Sequence, residues 1–188
     1  VIIESGIWKG MTTWLLEKAC PNAQIYSIDL HLNFREYISK KVKYFEEDFS
    51  EIDWRNILSP KSLAFFDDHQ NAYDRIHQCQ KLGIKDIIFE DNYPPLRGDC
   101  YSLKKVFAGS GLTDQDTGVF LIRNLHNTEH TRPTKEDKIL PNQIDASKML
   151  DNLNIYYEFP PVFKRKTTRW GDPWSDSLYP TPKALLEE

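Results

Sequence analysis

The sequence predicts an α/β fold, a mostly parallel, twisted sheet with helices on both faces. Five short apolar runs recur through residues 1–92, each run closes on an acidic residue, and the stretches between them carry helical periodicity. Strands buried on both faces of a parallel sheet read as continuous apolar runs rather than alternating ones. Their crossovers need a dozen residues or more, and successive runs here end roughly 20 to 25 residues apart. The expected strand order is 3-2-1-4-5, and chain chirality requires right-handed crossovers.

The predicted strands are Val1-Ile2-Ile3, Ile25 to Ile28, Val42 to Phe45, Leu63 to Phe66 and Ile87 to Phe89. They close at Glu4, Asp29, Asp48, Asp67-Asp68 and Glu90-Asp91. The first helix is expected over Trp14 to Ala19, capped by Thr12 or Thr13. Residues Ser50 to Leu58 form a weaker helical candidate. Asn71 to Leu82 is a stronger one, with Ala72, Ile76, Cys79 and Leu82 on one face and Gly83 as its stop. After Asn92 the rhythm loosens. Tyr101 to Ala108 and Ala146 to Leu153 read as helices, Val119 to Arg123 as a short apolar element and Ile155 to Phe159 as a strand. His126 to Lys138 is polar and expected to be mobile.

The 188 residues suffice for one sizeable core and are too few for two ordinary domains. Residues 1–92 form the expected cofactor-binding core, 93–150 a variable lid or insertion, and 151–188 the last strands and an aromatic tail. The net charge is −4, with no basic stripe, so nucleic acid is a poor partner. No apolar run is long enough to cross a membrane. Three cysteines without metal-type spacing suggest a reducing, cytoplasmic setting. The opening Val1-Ile2-Ile3 reads as the middle of a strand, so a native segment before Val1 is expected.

In an open parallel sheet, ligands bind at the carboxyl ends of the strands, near the switch in strand order. Gly6 and Gly10 in Glu4-Ser5-Gly6-Ile7-Trp8-Lys9-Gly10 allow a sharp turn and a close helix, against which a nucleotide-like ligand can lie. The spacing is not the G-x-G-x-x-G of a dinucleotide site. Asp29 is placed to accept from both hydroxyls of a ribose, and Asp48 to meet an adenine amino group. The runs Asp67-Asp68-His69 and Glu90-Asp91-Asn92 put oxygen ligands on adjacent loops, and two carboxylates plus an amide suit a hard cation such as Mg²⁺.

E-x-G-x-x-x-G at Glu4 to Gly10, the acid at Asp29, D-H at Asp68-His69 and D-N at Asp91-Asn92 together resemble the metal-dependent O-methyltransferases of class I. The catechol O-methyltransferases are nearest in pattern, and the macrocin O-methyltransferase and cephalosporin-hydroxylase-like groups are similar. The resemblance covers about the first 107 residues. It implies a Rossmann-like, seven-stranded sheet whose last strand is antiparallel, and an extended C-terminal half. It implies S-adenosylmethionine held by Glu4, Gly6, Trp8, Gly10, Thr12, Asp29 and the Asp48 loop, with His69 near the adenine or the methyl donor. It implies Mg²⁺ or another divalent cation on Asp68, Asp91 and Asn92, activating a hydroxyl of a small-molecule acceptor such as a sugar, phenol or secondary metabolite. Asp68 and His69 are then the catalytic pair. Two features depart from the pattern. Asn71 stands where the catechol enzymes carry a lysine, and Lys81 to Lys85 keeps one glycine of a usual pair. Alternatives are a nucleotide-cofactor oxidoreductase on the same sheet and a non-catalytic relative. Trp170, Trp174 and Tyr179 are expected to pack over the sheet or at a homodimer contact.

Overall fold

A computed structural model describes residues 1–93, 100, 102–107, 120–121, 138–139 and 153–157. Strands β1 (Ile2–Ser5), β2 (Ile25–Ile28), β3 (Val42–Phe45), β4 (Leu63–Phe66) and β5 (Asp86–Phe89) form one sheet in the order β3-β2-β1-β4-β5. All four pairings are parallel, as the sequence predicts. Helix α1 (Met11–Ala19) joins β1 to β2, and α2 (Ala72–Leu82) joins β4 to β5. A short α3 (Leu103–Phe107) follows, and β6 (Phe120–Leu121) pairs antiparallel with β7 (Lys138–Ile139) in a separate sheet.

Side chains of a strand alternate between faces, and the two faces carry different cores. Ile2, Ile25 and Val42 pack with Leu16 and Cys20 on the α1 side. Ile3, Tyr26, Ile28, Ala64 and Phe66 pack with Phe49, Trp54 and Cys79 on the α2 side. The same alternation sends Glu4 to the α1 side, opposite Ser27, where the Thr13 hydroxyl of α1 reaches it. It turns Ser5 to the α2 side, where its hydroxyl meets Asp68. Burial pushes the Cys79 thiol up to about 12, so it packs as an apolar group.

Helix α2 follows its sequence signals. The Asn71 side chain accepts from the Tyr73 and Asp74 amides, and Gly83 closes the helix at φ +73°. Three expectations are corrected. Helix α1 starts at Gly10, not on a threonine cap, because Thr13 turns its hydroxyl inward to Glu4. Ser50 to Leu58 forms only a 3₁₀ turn at Trp54–Asn56. Asp53 accepts from the Arg55 amide there, and buried Trp54 donates back to the Phe49 carbonyl. Ile155 to Tyr157 is not a strand; Tyr156 is fixed as a single residue, its hydroxyl accepting from Asn92. The expectations at 126–138, 146–152 and the tail aromatics lie outside the described residues, apart from the β7 backbone. Among the described residues no helix is long and apolar enough to cross a membrane.

Candidate functional site

The carboxyl ends of β1, β4 and β5 carry the functional candidates, beginning with the β1–α1 loop. Gly6 adopts φ +97°, and a Cβ there would lie 2.1 Å from the Asp67 carbonyl oxygen. Its missing side chain therefore admits the backbone of the β4–α2 loop. Gly10 at φ +88° likewise admits the Tyr37 backbone. Trp8 is exposed and holds a left-handed backbone at φ +46°. Asp29 pins this loop. Its Oδ2 accepts from the amides of Ile7 at 2.8 Å and Trp8 at 2.9 Å, and its Oδ1 from the His31 amide at 2.9 Å. A carboxylate offers about four acceptor positions, so Asp29 retains room for one ribose hydroxyl rather than the expected two.

Glu4 is fully buried beneath this loop's helix. Its Oε2 accepts from Thr13 at 2.6 Å and Ser27 at 2.5 Å, while its Oε1 is buried without a hydrogen-bond partner. Burial pushes its carboxyl from 4.5 to about 7, against the lowering effect of the Ser27 and Thr13 hydroxyls. A raised carboxyl favours the protonated folded state. Its contribution is complete below the unfolded value of 4.5 and is lost as pH rises through about 7. Wild-type protein is expected to lose about 3 kcal/mol across that window from this residue, at about 1.4 kcal/mol per unit. In Glu4→Gln that part of the slope disappears, as denaturant melts at a series of pH values can record. Superimposable pH–stability slopes would contradict the assignment.

Asp48 and Asp68, expected at the adenine and the metal, are both bound by Arg75. Arg75 Nη1 and Nη2 donate to the Asp48 carboxylate at 3.1 and 2.6 Å, and Nε donates to Asp68 Oδ2 at 2.9 Å. The guanidinium carbon lies 5.6 Å from the ring centres of both Phe49 and Phe66. Burial opposes ionisation of Asp48, but the Arg75 fork outweighs it and, with Ser50, holds the carboxyl down at about 2. Asp68 also accepts from the Ser5 hydroxyl at 2.7 Å and the Gln70 amide at 3.2 Å. Sequence reading missed Arg75. The signal was present, since position 75 shares the face of Ala72, Ile76 and Cys79 at helical spacing, and a charge on a buried face requires a charged partner.

Among the described residues, Asp67, His69 and Asp91 converge, their ligand atoms lying within 4.8 Å of one another. His69 Nε2 is 3.3 Å from Asp91 Oδ2 and 4.0 Å from Asp67 Oδ1. Ligands about 2.1 Å from one octahedral cation stand roughly 3 to 4 Å apart, so these spacings suit a shared ion. Asp91 Oδ2 is buried and accepts no hydrogen bond, and neither does Gln70 Oε1 in the same pocket. Buried oxygens of this kind call for a water or an ion. Burial first, and the Asp91 charge second, push Asp67 up to about 6, with His69 acting in the opposite sense. His69 holds φ +52°, a left-handed backbone that side chains other than glycine seldom adopt. Phe66, Phe89 and Cys100 complete a small pocket, partly open to solvent, with room for about one water-sized group.

Of the expected set Asp68, Asp91 and Asn92, only Asp91 lies in this cluster. Asp68 is turned to Arg75 and Ser5. Asn92 accepts from the Lys104 amide at 2.9 Å and donates to the Tyr156 hydroxyl at 2.7 Å. Two carboxylates and an imidazole suit Mn²⁺ or another first-row ion as well as Mg²⁺. Thr12 borders the first turn of α1, and the ends of β1 and β4 adjoin at the switch in strand order. No protein-family model, curated protein or solved structure matches the chain.

Proposed function

We propose that the chain is an S-adenosylmethionine-dependent O-methyltransferase acting on a hydroxyl of a small molecule, with a divalent cation held by Asp67, His69 and Asp91. The observation that carries the reading is the convergence of two carboxylates and an imidazole at the carboxyl ends of adjacent strands β4 and β5. The strand order β3-β2-β1-β4-β5 supports it, because it puts this cluster beside the switch point where a cofactor is expected. The fit to a cation rests on the donor spacing and on Asp91 Oδ2, which is buried, accepts no hydrogen bond and faces the His69 ring at 3.3 Å. The fit to the methyl donor is narrower. Trp8, Thr12 and the remaining acceptor position of Asp29 would hold it, and Asp48 drops out of the set because Arg75 occupies its carboxylate.

When bound, the two groups supply an electrophilic methyl and a Lewis acid for the acceptor oxygen. The chain's own residues do the rest. Asp67 and Asp91 provide negative charge for the cation, and His69 Nε2 provides a neutral donor. The other oxygen of Asp67 would lie beside the acceptor hydroxyl and could accept a hydrogen bond from it. The Asp29 carboxylate keeps the β1–α1 loop in its left-handed course.

Transfer of a labelled methyl group to a mixed panel of phenols and sugars tests the reading. Turnover is expected to stop in chelator and return with Mg²⁺ or Mn²⁺. Asp91→Asn should lower it by about 100-fold or more, beyond the 10- to 100-fold typical of losing only the outer support of a metal's ligands. Metal affinity should fall as pH drops through about 6, where Asp67 takes up a proton. Full turnover in chelator would dismiss the cation, and absence of S-adenosylmethionine binding in calorimetry would dismiss the methyl donor.

A further inference from the structure

We propose that Arg75 is a positioning residue, which holds the Asp67-Asp68-His69 turn in its metal-binding shape through the carboxylate of Asp68. The inference rests on the cation reading of the preceding subsection. Asp68 lies between two members of the cluster in sequence, so any displacement of its backbone moves both. Its carboxylate receives the Ser5 hydroxyl, the Gln70 amide, and Nε and Nη2 of Arg75, at 2.7 to 3.2 Å. Arg75 is 1% exposed and in turn anchored by a bidentate pair with Asp48 and a bond to Gln78. A chain of polar contacts therefore runs from the end of β3, through α2, to the turn after β4.

Stability alone does not account for this arrangement, because well-packed apolar side chains often replace a buried ion pair at no loss. The geometry it fixes does. His69 occupies a left-handed backbone at φ +52°, a conformation that persists only where the surroundings enforce it. Gly6 brings the β1–α1 loop against the Asp67 carbonyl from one side, and the Asp68–Arg75 pair holds the turn from the other. Lysine at position 75 would keep the charge but not the fork that reaches Asp48 and Asp68 together.

The test is Mn²⁺ affinity, read by electron paramagnetic resonance, alongside melting temperature. Arg75→Lys is expected to weaken Mn²⁺ binding about tenfold or more, the range for lost outer support of metal ligands. Asp48→Asn disturbs the same buried network but leaves the Nε bond to Asp68. It should lower the melting temperature while changing Mn²⁺ affinity less than about twofold, well inside the lower limit of that range. Ser5→Ala removes the other side-chain donor to Asp68 with little risk to the fold, and should weaken Mn²⁺ severalfold. Arg75→Lys with lowered melting temperature and wild-type affinity would overturn the inference while leaving the cation reading intact. Unchanged affinity in Ser5→Ala together with an unfolded Arg75→Lys would overturn it as well. Wild-type protein that binds no Mn²⁺ would instead remove the cation reading itself, and the inference with it.

Discussion

Gly6→Ala is expected to destabilise the fold by about 3 to 5 kcal/mol, at the upper end of single-substitution effects. Two costs combine at this position. The backbone sits at φ +97°, and the added Cβ would lie 2.1 Å from the Asp67 carbonyl oxygen and 2.8 Å from the Asp68 amide. Neither neighbour is the far end of a flexible side chain; both are backbone between β4 and α2. Relief therefore requires the loop carrying Asp67 and His69 to move, and Mn²⁺ affinity should fall with stability. Gly83→Ala provides the comparison, because Gly83 also has a positive φ, +73°, but no atom within 4 Å of the added carbon. It should cost only the left-handed penalty of about 1 to 2 kcal/mol. Denaturant melts of the two variants check the difference. Equal losses would mean that the loop contact at Gly6 contributes nothing beyond the backbone angle.

Arg75→Met is expected to cost about 3 to 5 kcal/mol, the usual result of removing one partner from a buried charge pair. The guanidinium is 1% exposed and neutralises two carboxylates, Asp48 and Asp68. Without it both lose their charged partner inside the α2-side core. The loss should shrink as pH falls. Asp48, held at about 2 in the wild type, then titrates nearer the ordinary 3.8, so acid removes the uncompensated charge. A triple variant that also carries Asp48→Asn and Asp68→Asn should recover much of the stability for the same reason. A loss below about 1 kcal/mol in the single variant would show that water enters and solvates the acids.

The sheet was legible because its signal is local. Five apolar runs, each closed by an acid, became five parallel strands in the expected order. Helix α2 was legible from its apolar face and from Gly83 at its end, while the Asn71 cap emerges only in the structure. The start of α1 was not, because Thr13 spends its hydroxyl on Glu4, a residue that only the fold brings near. Residues 50–58 carry apolar positions that suit a helix, but Trp54 reaches the Phe49 carbonyl and fixes a tighter turn.

Which acids cluster was not legible for a related reason. Between Phe66 and Ala72 the chain leaves the period of a strand without yet having that of a helix, so spacing does not decide which acid faces Asp91. The decision falls to Arg75, which takes Asp68 and leaves Asp67 and His69 to the cluster. The bonds of Asn92 were not legible because its partners, the Lys104 amide and the Tyr156 hydroxyl, come from distant sequence.

The most direct measurement of the central claim is an anomalous-scattering map from crystals of the protein soaked in Mn²⁺. The account predicts a single strong peak bound by carboxylate oxygens of Asp67 and Asp91 and by Nε2 of His69, at about 2.1 to 2.3 Å. Asp68 should remain on Arg75, and Asn92 on Lys104 and Tyr156. A peak on Asp68 and Asn92, or no peak near Asp91 at millimolar Mn²⁺, would contradict it.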